Sequence, residues 1–377
     1  MKKCKKLHVG KVQEEYKCQN LSVVKWAEVE VKNDLTGEME MKDIYDGEYT
    51  MEEKSEEKYL GDVISNDGRN IKNIKARIAK GTGIVNKILT MMDGIPFGKH
   101  YFKVGVLLRD SLLVSSMLFN CEAWYNLTSA ELDLFETIDL NLLRSILKAP
   151  KGTPKEMFYL ELGCIPFREI IRERRLRFLH SILNEDKESM MNRYFQAQLK
   201  NPTKKNWVTT VKEDLKYLNM ENTGMDDIGK MKKTSLVNLI KKKVQEKIFE
   251  KLENEKKKHS KVRKIEHNSI KIQKYLQPNK MKMSREESQL IFKMRCRVTE
   301  AKTNLKGKYD NLECGACGLA EESQHHILEC EVLNENKSIQ NKKYENLLNG
   351  TVEEKLKIAR LFEENFTKLE SIKEGKI

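Results

Sequence analysis

Proline and glycine are scarce in this chain, six and 19 among 377 residues, so few positions are marked for tight turns or helix breaks. Aromatic residues make up only 7%. No run approaches the roughly 18–20 consecutive apolar residues that a bilayer-spanning helix needs. The opening Met1-Lys2-Lys3-Cys4-Lys5-Lys6 has no apolar stretch behind it and does not read as a secretory signal. Cys4, Cys18, Cys121, Cys164 and Cys296 stand without close partners, which suits a reducing compartment. The expectation is an intracellular protein, cytoplasmic and/or nuclear, with no membrane partner. Familiar catalytic signatures are missing as well: there is no G-x-S-x-G elbow, no P-loop and no H-E-x-x-H. The one Asp-Asp pair, Asp226-Asp227, has no aromatic residue two positions before it and no flanking apolar strands. It reads as a helix cap rather than a metal-binding catalytic pair. His8, His100 and His180 read as packing or surface residues, and no catalytic residue is expected.

Charge is what the chain has in quantity. Charged residues make up 34%, with a formal net charge of +13. Between Gly229 and Met283 there are 18 Lys and Arg against five Asp and Glu, so this stretch alone carries a surplus equal to that of the whole chain. Within it Lys241, Lys242, Lys243, Lys247, Lys251, Lys256, Lys257, Lys258, Lys261, Arg263 and Lys264 recur along what reads as one long helix. Repeated ammonium groups suit a phosphate backbone, bound without sequence preference and sensitively to salt. A solvated face that only keeps the protein soluble is the plainer reading, but the scarcity of glutamates favours nucleic acid. A membrane-surface helix would carry more aromatic anchors than this segment has. Arg168, Arg172 and Arg175 share one face of another predicted helix, with Arg174 and Arg177 beside them. They form either a phosphate rail or ion pairs with Glu169 and Glu173.

Periodicity divides the chain. Ala27 to Val31 alternates with period two, Asp34–Gly37 is a turn, and Lys58 to Ile64 reads as a strand ending at Asn66-Asp67-Gly68. From Asn70 the period becomes helical, with Ile71, Ile74, Ile78, Val85, Ile88 and Met92 on one face. Tyr101 to Phe119 is apolar nearly all round and is expected inside a bundle. Thr128-x-x-Glu131, Ser284-x-x-Glu287 and Thr351-x-x-Glu354 are capping boxes, and Pro166 suits the start of a helix ending near Leu183. Gln277-Pro278-Asn279 reads as a break. The last helix carries Leu356, Ala359, Phe362, Phe366 and Leu369 on one face. The fold class is mainly α with a small N-terminal β element.

The remaining cysteines fall together, as Cys314-Gly-Ala-Cys317, then His325-His326, then Cys330. Two thiolates two residues apart can grip a metal from one turn, which Gly315 eases. A histidine and a cysteine one helical turn apart can complete a tetrahedron. The spacing favours Cys314, Cys317, His326 and Cys330, with His325 the alternative fourth ligand. Four protein ligands leave no position for water, so a Zn2+ ion here is expected to be structural.

Glu57-Lys58-Tyr59-Leu60-Gly61-Asp62-Val63-Ile64-Ser65, followed by Asp67-Gly68 and an Ile-x-x-Ile helix, resembles the region behind the catalytic palm motifs in the reverse transcriptase family of non-LTR (LINE-like) retrotransposons. Asn120 to Trp124 resembles its "YGSEAW" segment, Leu142–Leu147, Ala149-Pro150 and Thr153–Gly163 its next helices, and Glu322–Cys330 the second half of its C-terminal zinc knuckle. Lys3 to Gly10 resembles the strand after the family's aromatic-x-Asp-Asp hairpin, with Lys3 near a palm-motif lysine. The resemblance implies a primer-grip role for Tyr59, Leu60 and Gly61, a helical thumb after them, and His326 as ligand. It also implies that the fingers, most of the palm and the metal-binding aspartates precede Met1, and that the 47 residues after Cys330 are too few for a nuclease domain.

The resulting expectation is a palm remnant over 1–69, a helical thumb over 70–220, a basic helical connector over 221–310, a CCHC zinc knuckle over 311–335 and a C-terminal helix over 336–377. Such a chain would hold RNA and/or DNA through its phosphates, would pair with the missing N-terminal polymerase half, and would not polymerise by itself. The alternatives are a helical zinc-braced protein-interaction scaffold, a complete enzyme, or a decayed remnant without selected function.

Overall fold

A computed structural model describes residues 5–7, 22–32, 39–50, 52–59, 61–66, 70–95, 100–201, 205–277, 283–305, 307–334 and 343–375. The fold is mainly helical, with two-stranded sheets near the N-terminus, as composition and periodicity imply. The turn at Asp34–Gly37, Asp67-Gly68, Pro278-Asn279, and Lys3, Cys4, His8, Cys18 and Leu60 lie outside the described residues. Among the described residues no helix is long and apolar enough to cross a membrane. The chain divides into two compact units, Met1–Arg77 and Ile78–Ile377.

In the first unit the alternating residues from Ala27 to Val31 lie in the strand Ser22–Lys32. It pairs antiparallel with Met39–Thr50, from Ser22 opposite Thr50 to Lys32 opposite Met39. The segment from Lys58 to Ile64, expected as a single strand, is instead a hairpin. Glu56–Tyr59 pairs with Asp62–Ser65, and Tyr59 stands opposite Asp62. Gly61 permits the reversal, because its φ of 95° is closed to most side chains. Reversal puts buried Asp62 against the first turns of the helix Ile71–Asp93, where it accepts from Asn73 Nδ2 at 2.8 Å and pairs with Arg77.

The second unit grows from helices with strong local start signals. The capping boxes at Thr128, Ser284 and Thr351 are all formed and open the helices Ser129–Ile146, Arg285–Arg295 and Val352–Lys373. In each, the hydroxyl takes an otherwise orphaned amide and the glutamate returns to the cap amide. Pro166 caps Phe167–Leu183. The stretch from Tyr101 to Phe119 departs from expectation: Phe102, Leu113, Val114, Met117 and Leu118 are buried, but Leu107 and Phe119 are 63% and 52% exposed. A π-helical segment, Arg109–Val114, interrupts the helix here and buries Arg109. That guanidinium meets Asp139 at 2.6 and 2.7 Å and the Ile165 carbonyl at 2.7 Å.

The short helix Lys155–Leu162 is buried at every position from Glu156 to Leu162. It ends at Gly163, whose φ of 69° closes the helix. A Cβ there would lie 2.4 Å from the amide nitrogen of Ile272, so glycine lets that segment cross, with Leu162 bridging Ile272. Glu161 is the polar centre. It accepts from Arg295 Nη2 at 2.9 Å and from Tyr275 Oη at 2.8 Å, and His267 Nε2 lies 3.0 Å away. Arg295 also donates to the carbonyls of Leu347 and Leu348. Residues from the ranges 70–220 and 221–310 thus share one core with the helix Lys343–Asn349.

Burial by itself would raise the Glu161 carboxyl, but Arg295 and His267 outweigh it and bring it down from 4.5 to about 2. A depressed folded-state value contributes stability that is full above 4.5 and is lost as pH falls towards about 2. We expect Glu161→Gln to cost about 3–5 kcal/mol in denaturant unfolding, since Arg295 keeps a buried charge without its partner. The variant should also show a shallower loss of stability over that acid range. Unaltered unfolding midpoints at neutral and acid pH would show that this carboxylate does not hold the core.

Candidate metal centre and basic surface

Cys314, Cys317, His326 and Cys330 come together, with their ligand atoms within 4.8 Å of one another, and could hold a metal ion. Cys317 Sγ and His326 Nε2 are 3.3 Å apart. The two pairs arrive from opposite sides. Cys314 and Cys317 sit on a loop closed by a bridge between Glu313 and Glu321, with the Cys314 amide donating to the Ala320 carbonyl at 2.8 Å and Gly318 to Cys314 at 2.9 Å. The glycine that turns this loop is Gly318, at φ 65°, and not Gly315 as its position between the cysteines implied. Gly315 instead packs under Lys373, where a Cβ would lie 2.9 Å from Cε. His326 belongs to the helix Gln324–Glu329, capped by Ser323, and Cys330 closes that helix.

Placement of the adjacent histidines settles which one joins the cysteines. His326 does so; His325 lies outside, 3.1 Å from Glu329 through Nδ1 and edge-on to Tyr344. Burial lowers His326 below the usual imidazole range, which keeps the ring neutral and ready to donate a lone pair. It also pushes the Cys330 thiol up to about 11. Burial acts on Cys317 in the same sense, but the Leu319 amide and the neighbouring thiols hold that thiol below its ordinary value.

Supporting residues come mostly from outside the motif, and sequence reasoning missed them. Fully buried Glu322 accepts from the Gly315 amide at 3.2 Å and pairs with Lys373 at 2.9 Å, tying the cysteine loop to the helix Val352–Lys373. From the same helix, buried Asn365 donates to the Ile327 carbonyl at 2.9 Å and to Asn334 Oδ1 at 3.1 Å, and Asn334 donates to the Cys330 carbonyl at 2.8 Å. One signal was available: Asn365 is polar on a face otherwise built from Leu356, Ala359, Phe362 and Leu369, and such an interruption marks a buried hydrogen bond.

The basic residues divide into two groups. On the helix Lys233–Lys257, Leu236, Ile240, Val244, Ile248 and Leu252 form a buried edge every fourth residue. Lys241, Lys242 and Lys257 are exposed, and Lys243 is half-buried. The helix stops at Lys257, short of the expected end, and Lys258, Lys261, Arg263 and Lys264 lie exposed on the turn that follows. Two apolar residues force that turn: Val262 and Ile265 tuck inwards, and buried Lys256 donates to the Ile265 carbonyl and to Glu253. Lys242 and Lys243 approach Glu246, and Lys258 approaches Glu255. No carboxylate among the described residues pairs with Lys241, Lys257, Lys261, Arg263 or Lys264.

Arg168, Arg172 and Arg175 belong to the other group, and of the two readings open to them the ion pairs are found. Arg168 meets Asp133 at 2.8 Å and also Glu136; Arg172 meets Glu169 at 2.7 Å and Asp214 at 3.2 Å; Arg175, almost fully buried, pairs with Asp214. Glu173 meets Arg177 at 3.6 Å. These guanidiniums join helices and do not form a rail. Asp226 and Asp227 stand in the first turn of Met225–Lys230, after a Gly224 cap. Tyr59 is 64% exposed beside the Gly61 turn. His180 packs with a ring nitrogen 2.9 Å from the Met231 carbonyl, and His100 is exposed.

Cobalt(II) titration separates the ligands from their neighbour. We expect Cys330→Ser and His326→Ala each to weaken metal binding at least tenfold and to change the thiolate-to-metal absorption, and His325→Ala to leave both as they are. A loss in His325→Ala equal to that in His326→Ala would place the fourth donor wrongly. No family model, curated protein or solved structure matches the chain.

Proposed function

We propose that this chain binds nucleic acid through its phosphates, on a surface whose C-terminal part is organised by a structural Zn2+ ion. One observation carries the reading: the buried edge of Lys233–Lys257 locks that helix, so its exposed lysines and the cations of the following turn are held outward together. Cations without internal carboxylate partners are free to replace the counterions of a polyanion, and their release makes binding strong at low salt and weak at high salt.

Zn2+ is supported by the donor set. Three thiols and one imidazole form the combination that borderline-soft zinc favours, and they leave no open position for a reacting water. Ligands about 2.3 Å from a tetrahedral ion lie roughly 3.7 Å from one another, so a cluster spanning 4.8 Å needs only a small contraction to close on one. Zinc bound there would contribute folding free energy to the loop and to the helix that carries His326.

Together with the order of the sequence blocks, these features support a chain related to the rear part of a non-LTR retrotransposon reverse transcriptase. On that reading residues 1–69 are the palm remnant, with Tyr59, Leu60 and Gly61 as its primer grip. The helices that follow form the thumb and connector, and the CCHC cluster is the knuckle. The chain would hold template and primer, RNA and/or DNA, through their phosphates.

The test is binding of labelled single-stranded RNA and duplex DNA by the full chain across a salt series. We expect log K to fall linearly with log salt, by about 0.7–0.9 per phosphate contacted. Replacing Lys241, Lys257 and Lys264 together by glutamine should lower that slope by roughly two to three units, and removing zinc with a chelator should weaken binding. Salt-independent binding, or none by a folded protein, would favour the protein-interaction scaffold.

A further inference from the structure

Beside the metal cluster, and separate from the row of lysines on the long helix, a cavity of about 560 Å3 opens between the basic turn and the His326 helix. Its walls include Lys261, Arg297, Thr303, Ser323, His325 and Tyr344, and no Asp or Glu is among its lining residues. Cavities of this size hold small organic ligands. We infer that it is a phosphate pocket for one nucleotide unit of a nucleic-acid strand, an inference that rests on the nucleic-acid reading above.

Arg297 is positioned for this use. It adopts a left-handed backbone conformation, φ 52°, rare for a non-glycine residue. Its Nε donates to Tyr344 Oη at 3.0 Å, and the guanidinium stands 5.2 Å from the Tyr344 ring centroid. Tyr344 Oη is fixed from another side by Gln324 Nε2 at 2.9 Å, itself buried. This leaves the two terminal nitrogens of Arg297 without a carboxylate partner among the described residues. A fork of donors oriented through Nε matches two oxygens of a phosphate.

The other donors surround it. Lys261 Nζ reaches the Arg297 carbonyl at 3.4 Å, which sets a second cation beside the first. Ser323 Oγ accepts the His326 amide at 3.0 Å and keeps its own proton to donate. The carboxylates of Glu329 and Glu322 near it are engaged elsewhere, by His325 Nδ1 and by Lys302 and Lys373. Two cations and no carboxylate in the wall favour an oxyanion over a cation. A strand is favoured over a free nucleotide because the exposed cations of the same turn, Lys258, Arg263 and Lys264, would meet its neighbouring phosphates.

The experiment uses the full, zinc-loaded chain and an end-labelled single-stranded oligonucleotide, with a mononucleotide and inorganic phosphate as competitors. Arg297→Gln should weaken binding about tenfold and lower the salt slope by about one unit. Lys261→Gln, at an exposed position where packing is not at stake, should change both in the same direction. Neither small competitor should displace the strand at concentrations where an unlabelled oligonucleotide does. Displacement by the mononucleotide at matching concentration would overturn the strand in favour of a free nucleotide. Wild-type affinity and slope in both variants, with weakened binding in Lys241→Gln, would overturn the pocket and leave the broader reading intact. Failure of the unaltered protein to bind any oligonucleotide at low salt would overturn both.

Discussion

Glu161 has no water to turn to where it sits, and that constraint orders much of the second unit. A buried carboxylate is tolerable only when its lone pairs are filled by donors and its charge is matched. Arg295, His267 and Tyr275 supply this, from segments far apart in the chain. Each donor is committed in turn. Arg295 holds the carbonyls at the end of Lys343–Asn349, and His267 Nδ1 lies against Lys256, whose ammonium also holds Glu253 and the Ile265 carbonyl. Shifting any one of these segments would expose a charge to an apolar interior, so they are fixed together or not at all. The same network ends the basic helix at Lys257 and sets the position of the turn that carries Lys261, Arg263 and Lys264.

Positive charge in this protein follows the physics of its two cations. Arg109, Arg175 and Arg295 are buried, each against a carboxylate. Guanidinium is more weakly hydrated than ammonium and presents a planar fork, so it loses less on leaving water. Most of the lysines in the basic segment stay outside, with Lys256 the buried exception. A net surplus of +13 is therefore displayed chiefly by lysines on one helix and the adjoining turn, where bulk solvent and a polyanion can compete for them.

The sequence made visible those features whose causes are local. A capping box needs a hydroxyl and a glutamate three residues apart, and those at Thr128, Ser284 and Thr351 could be read directly. The metal cluster was legible for the same reason, since its four donors fall between Cys314 and Cys330. Features with distant partners were hidden. Glu161 and Arg295 are separated by 134 residues, and nothing around Glu161 sets it apart from an exposed glutamate. Arg168 and Arg172 stayed ambiguous because Glu136 and Asp214 lie 32 and 42 residues away. The hairpin at Gly61 was misread because a strand and a hairpin share the same alternating pattern, and only the backbone angle at one glycine separates them.

Asn365 and Lys373 reach back to the metal cluster from a helix that follows it in the chain. During synthesis the three cysteines and His326 therefore leave the ribosome before the side chains that brace them. Until the helix Val352–Lys373 is made, Glu322 lacks Lys373, and the Ile327 carbonyl and Asn334 lack Asn365. The brace is therefore a late addition: a chain ended before Asn365 would keep all four candidate donors but lose the side chains that tie their loop and helix to the rest of the unit.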